Sequence, residues 1–239
     1  MELGSLASFL GDSSGGWLAL AFALGFVHSL DADHVMAVSV LSTQPLGGEA
    51  NRRSGARQGA RAGLRWALGH GAILLAAGLV LLLLGRALPM SLSVWADRGV
   101  GIVMVVLGAY VFLDLLGRRG HLHFHEHDGL VAHAHWHTDG DPAHRHDHGA
   151  MMVGALHGLA GSAPILAVLP VAARSPLLGL AYLLIFALGV ALAMAAVSGL
   201  LGHLTGGLSR RRHATGLRAL RAFSGAGSMA LGLWLAVAA

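Results

Sequence analysis

The chain has 239 residues, 55% hydrophobic and only 12% charged, whereas about a quarter of a soluble domain's residues carry charge. All sixteen basic residues are arginine and most flank apolar runs, a pattern of membrane topology determinants; a nucleic-acid footprint would add a basic patch interleaved with aromatics. No cysteine is present, which excludes disulfides, thiolate metal ligands and cysteine nucleophiles and leaves nitrogen and oxygen donors for any metal.

The opening Met1-Glu2-Leu3-Gly4 lacks a basic n-region, so no cleavable signal peptide is expected. A bilayer-crossing helix needs about 20 apolar residues. Six windows qualify: Trp17–Leu41, Arg65–Leu88, Val100–Leu116, Ala150–Ala172, Leu177–Leu201 and Ala219–Ala238. The expected fold is an all-α polytopic membrane protein of six transmembrane helices. Residues 1–116 form a first three-helix half, 117–149 a histidine-rich loop and 150–239 a second half. Trp17, Trp66, Trp95 and Trp234 fall near span ends, where indole rings favour the headgroup level. The pairs Ala21/Gly25, Gly189/Ala193 and Ser228/Gly232 are small residues four apart, as close helix contacts require.

The first span carries His28-Ser29-Leu30-Asp31-Ala32-Asp33-His34. An acid at mid-bilayer costs about 2.5–3.5 kcal/mol on insertion scales, so such groups face a protein interior and serve a function there. On a regular helix His28, Asp31 and His34 fall within an arc of about 120°, and Asp33 joins them only if the helix unwinds near Gly25 or Asp31-Ala32-Asp33. The second span adds His70 between Gly69 and Gly71. The fourth adds His157, followed by Gly158, Gly161 and Pro164, which should interrupt that helix. Each of these two isolated histidines has a plainer explanation, a hydrogen bond to a neighbouring helix. The cluster from His28 to His34 does not. Imidazoles mixed with carboxylates favour Ni2+ or Co2+, with Zn2+ close behind, as a bound ion that passes through and is no prosthetic group.

Between the halves lie His121, His123, His125, His127, His133, His135, His137, His144, His146 and His148. Alternate residues of an extended segment share a face, and such tracts bind Ni2+ or Zn2+. The loop is polar and broken by Gly129, Gly140 and Pro142, so it is expected to be disordered without metal and to buffer or sense metal. Thirteen arginines fall in the connections on one side of the membrane, including this loop; only Arg86, Arg98 and Arg174 fall on the other. The positive-inside rule then puts both termini outside and the histidine-rich loop in the cytoplasm.

The halves also resemble each other. Gly25-Phe26-Val27-His28-Ser29-Leu30 aligns with Gly154-Ala155-Leu156-His157-Gly158-Leu159, and Ala67-Leu68-Gly69 with Ala187-Leu188-Gly189. Three spans per half would turn the second copy upside down, giving two inverted three-helix repeats, a common plan of secondary transporters.

His28, Asp33 and His34 match the His-x4-Asp-His signature of the nickel/cobalt transporter family, and Gly69-His70 resembles its second signature. The resemblance implies a nickel or cobalt permease whose first signature contacts the metal. Val27 precedes the motif where the family has arginine, and Leu159-Ala160-Gly161-Ser162-Ala163 stands where the family has an acidic signature. Six spans against the family's usual eight resemble its compact UreH-like branch, associated with urease and hydrogenase maturation proteins, which are the implied partners. The expectation is a secondary transporter of Ni2+ or Co2+ in the cytoplasmic membrane and not an enzyme; without lysine no Walker A loop can form. Membrane potential favours uptake; the alternatives are efflux, a membrane metalloenzyme or a metal-responsive scaffold for urease assembly.

Overall fold

The computed structural model describes residues 14–43, 51–84, 90–116, 121–125, 133–137, 149–160, 175–210 and 214–238. Seven helices and two strands lie in them: α1 (Ser14–His28), α2 (Ala32–Ser42), α3 (Arg52–Leu84), α4 (Met90–Leu115), β1 (His121–His125), β2 (His133–His137), α5 (Gly149–Ala160), α6 (Pro176–Arg210) and α7 (Ala214–Ala238). Among the described residues four helices are long and apolar enough to cross a membrane, or five if α1 and α2 count as one bent span. Residues 161–172 of the fourth window lie outside the described residues, so the expected six reduce to four or five here. Leu68, Ile102, Val106, Leu188, Leu200 and Val237 are exposed on these helices, an apolar surface that suits hydrocarbon and not water.

The first window is not one regular helix. α1 and α2 meet at 61°, with Ser29, Leu30 and Asp31 between them. Leu30 N–H bonds to Val27 C=O at 2.9 Å and Asp31 N–H to His28 C=O at 3.0 Å, a tightened last turn. The buried Ser29 hydroxyl donates to the carbonyls of Gly25 and Phe26 at 3.0 and 2.8 Å, satisfying acceptors that the break leaves over. The regular-helix arc of His28, Asp31 and His34 therefore does not apply, and the chain unwinds beside Asp31-Ala32-Asp33, the alternative that the sequence left open.

α3 and α6 are longer than their hydropathy windows, and together they form the centre. They run antiparallel: Gly55, Gly59 and Gly63 lie against the backbone at Gly202, Ser198 and Met194. The arginine-bearing start of α3 therefore lies beside the end of α6. α4 and α7 also pair antiparallel, through Gly101 against Gly232 and Gly108 against Gly225. They are tied near one end by Arg221 Nη2, which donates to Asp114 Oδ2 at 2.5 Å, and mid-helix by Ser228 Oγ, which donates to the Met104 carbonyl at 2.8 Å. The small-residue pairs fall at buried contacts as expected: Gly25 meets Phe186, Gly189 meets Phe22, Gly232 meets Gly101, and Ala21, Ala193 and Ser228 are fully buried.

The core is built from Trp66, Leu74, Tyr182, Leu183, Phe186, Val190 and Met194, all on α3 and α6, with Ala21 of α1 and Val38 of α2. Outside the helices β1 and β2 form an antiparallel ribbon. The histidine-rich loop is thus not wholly without structure, and the all-α expectation gains a small hairpin. The reason is composition: the runs 121–125 and 133–137 interleave histidine with Leu122, Phe124 and Trp136, a period-two pattern that suits a strand.

Candidate metal site

His70 sits about 27 Å along α3 from Arg52, at 1.5 Å per residue. Its ring is fully buried, and neither of its nitrogens has a hydrogen-bond partner among the described residues. The glycines around it explain how it comes to be there. A Cβ at Gly69 would stand 1.9 Å from the Met151 carbonyl, and one at Gly158 would stand 2.6 Å from the His70 carbonyl. α5 can therefore lie directly on α3 at this level only because both positions are glycine.

The bend between α1 and α2 turns two more histidines toward His70. One donor atom from each of His28, His34 and His70 can be chosen so that all lie within 4.8 Å of one another. The ring centroids of His28 and His34 are 4.6 Å apart, those of His34 and His70 5.3 Å and those of His28 and His70 5.9 Å. His157 lies on the other side of His34, with 5.7 Å between centroids, and is not part of the tight trio.

The two acids sit behind the imidazoles. Asp31, exposed at the bend, accepts from His28 Nδ1 at 3.1 Å, and half-buried Asp33 accepts from His34 Nδ1 at 2.8 Å. His157 Nδ1 donates to the Val153 carbonyl at 2.9 Å. An Nδ1–H occupied in this way leaves the Nε2 lone pair free, the tautomer a metal ligand needs. Nε2 of His28, His34 and His157 is buried with no partner among the described residues. An unsatisfied buried polar atom costs about 1–3 kcal/mol, so several together mark a place that expects a ligand.

Aromatic rings wall the site. Trp66 stacks on His70 at 5.0 Å and 14°, and meets His34 and His157 edge-on at 5.1 and 5.5 Å. Phe186 of α6 lies 5.6 Å from His28. Trp66 is fully buried, which corrects its expected place at the headgroup level: α3 begins fourteen residues earlier than the indole, so Trp66 lies deep in the bundle. Trp95 and Trp234 are exposed, in keeping with span ends. The signal missed in the sequence was the Trp66/His70 spacing of four, which puts both rings on one face of a helix.

Residues 20–234 match the family model described as cytochrome C biogenesis protein transmembrane region. The chain is also 31% identical over 192 residues to the urease accessory protein UreH of Bacillus sp. (strain TB-90), an overlap covering 77% of this chain and 75% of that one. The chain belongs to this transmembrane family, in its UreH-like branch. No solved structure matches it. Family membership and the apolar helices together make it a multi-pass membrane protein. The resemblance to the UreH-like branch therefore holds.

In the ribbon, His121, His123, His125, His133, His135 and His137 are in strands. His127, His144, His146 and His148 lie outside the described residues.

Proposed function

We propose that this protein is a secondary transporter of Ni2+ or Co2+, with Zn2+ as a weaker substrate, and that His28, His34 and His70 hold the ion in transit. The observation that carries this function is the close trio of imidazoles, His34 and His70 buried and His28 partly so, with unpartnered nitrogens inside an apolar bundle. Nitrogen donors favour Ni2+, Co2+ and Zn2+ over Mg2+ or Ca2+. Asp31 and Asp33 hold two of the rings in the ligating tautomer and supply negative charge beside the cation. His157 is the fourth imidazole, ready to take the ion from His34. The relative's name, a urease accessory protein, supports urease maturation proteins as receivers of the ion.

The two halves support an inverted repeat through their contacts. Gly25 meets the Phe186 carbonyl and Gly189 meets the Phe22 carbonyl; Gly154 meets the Trp66 carbonyl and Gly69 meets the Met151 carbonyl. Under the alignment of Gly25 with Gly154 and Gly69 with Gly189, each contact maps onto its counterpart, while the matched helices α3 and α6 run antiparallel. Within this frame the site is one-sided, because the position matching His70 is Val190. The arginines at the start of α3, the end of α6 and the start of α7 support a cytoplasmic position for that end under the positive-inside rule. A divalent cation then gains about 4.6 kcal/mol per 100 mV on entry, roughly a 2,000-fold accumulation. Uptake needs no other energy source.

The test is Ni2+ and Co2+ flux into proteoliposomes under an imposed inside-negative potential, for wild type and His28→Ala. Potential-driven entry that the substitution abolishes is the expected result. Flux only against the potential, coupled to a pH gradient, would make the protein an exporter; equal flux in both proteins would remove the site.

A further inference from the structure

The strand register pairs the histidines of the loop with one another. His121 faces His137, His123 faces His135 and His125 faces His133 across the ribbon. Residues two apart on a strand share a face, and directly opposed residues share it too. All six histidines therefore belong to one face of the ribbon. Leu122, Phe124, Ala134 and Trp136, paired as Leu122 with Trp136 and Phe124 with Ala134, belong to the other. The register decides this: a slip of one residue would oppose every histidine with an apolar residue.

We infer that this ribbon is a second metal site, separate from the membrane site, which takes a first-row divalent cation between cross-strand histidine pairs. Opposed residues on an antiparallel pair have Cβ atoms about 4.5–5.5 Å apart, and the next pair on the same face follows about 6.8 Å along. Two neighbouring pairs thus bring four imidazole-bearing positions within one ion's reach. Imidazole selects Ni2+, Co2+, Zn2+ and Cu2+ over the hard cations. The ribbon joins α4 to α5, and α4 ends where Asp114 meets Arg221, so the site stands at the arginine-rich end of the bundle. A metal ion held between the strands also ties β1 to β2, coupling occupancy to order in the loop.

An ordered site and a loose chelating tract differ in one respect: only the first depends on which face each histidine occupies. The experiment uses the full-length protein with His28→Ala and His70→Ala to silence the membrane trio. His127, His144, His146 and His148 are also changed to alanine, leaving the six ribbon histidines. Within that background the exchange H133A/A134H/H135W/W136H keeps the composition identical and moves two histidines to the opposite face. Isothermal titration with Ni2+ should show tight binding to the unexchanged ribbon and at least tenfold weaker binding after the exchange. Equal affinity for both, or no binding to either, would overturn the inference. Should the membrane substitutions unfold the bundle, the same exchange is titrated with His28 and His70 intact, and the ribbon's binding step is the one that the exchange alone moves. Failure of transport in wild type would leave this result untouched.

Discussion

At the site, each imidazole is set by a different acceptor: Asp31 for His28, Asp33 for His34 and the Val153 carbonyl for His157. Removing such an outer partner typically costs 10- to 100-fold in metal affinity. Asp33→Asn should therefore weaken Ni2+ binding by roughly that factor, read by equilibrium dialysis. Asp31→Asn should cost less, because Asp31 is exposed and its bond to His28 is longer than that of Asp33 to His34. Trp66 is the residue that holds the rings in place. Trp66→Ala should cost about 3–5 kcal/mol of stability from the cavity alone, while Trp66→Phe should keep most of the stacking and the metal affinity; thermal unfolding in detergent separates the two. The sequence made His28, Asp31, Asp33 and His34 conspicuous, since charge within an apolar run is costly wherever it falls. It did not show that the acids stand behind the imidazoles. That depends on the break at Ser29 to Asp31, which no proline or glycine at those positions announces.

Beside the core of large side chains, the helices approach one another closely at glycines. A Cβ at Gly69 would stand 1.9 Å from the Met151 carbonyl, and one at Gly189 would stand 2.4 Å from the Phe22 carbonyl, whereas among the described residues nothing lies within 4 Å of a Cβ at Gly15. Gly69→Leu and Gly189→Leu should each abolish the folded protein in size-exclusion chromatography, and Gly15→Ala should leave it intact. Arg221 and Asp114 form a half-buried pair between α4 and α7. Leaving one of two buried partners alone costs about 3–5 kcal/mol, and less where water reaches the group; replacing both is far better tolerated. Arg221→Leu should thus destabilise more than the double change Arg221→Leu with Asp114→Leu. The small-residue pairs were legible because spacing of four is itself the contact signal. The ends of α3 and α6 were not, since hydropathy stops at the arginines while helical hydrogen bonding continues through them.

Across the molecule, the glycine contacts and the antiparallel α3 and α6 support the proposed inverted repeat, and three of the four clustered histidines come from the first half. The His28/His157 correspondence was visible in the chain, but the pairing of α1 with α6 and of α3 with α5 was not, because it exchanges partners between halves. A chain without cysteine makes topology easy to test. Leu116→Cys, at the exposed end of α4, should react with a membrane-impermeant maleimide only from the cytoplasmic side, and Val237→Cys, exposed near the end of α7, only from outside. Labelling of both from one side would contradict the proposed orientation. The central claim is that the three clustered imidazoles of His28, His34 and His70 receive the transported ion. X-ray absorption at the nickel edge tests it directly, on protein whose loop histidines are all alanine. One Ni2+ per chain with at least three imidazole ligands, lost in His70→Ala, is the predicted result; no bound Ni2+, or a shell of oxygen alone, would contradict it.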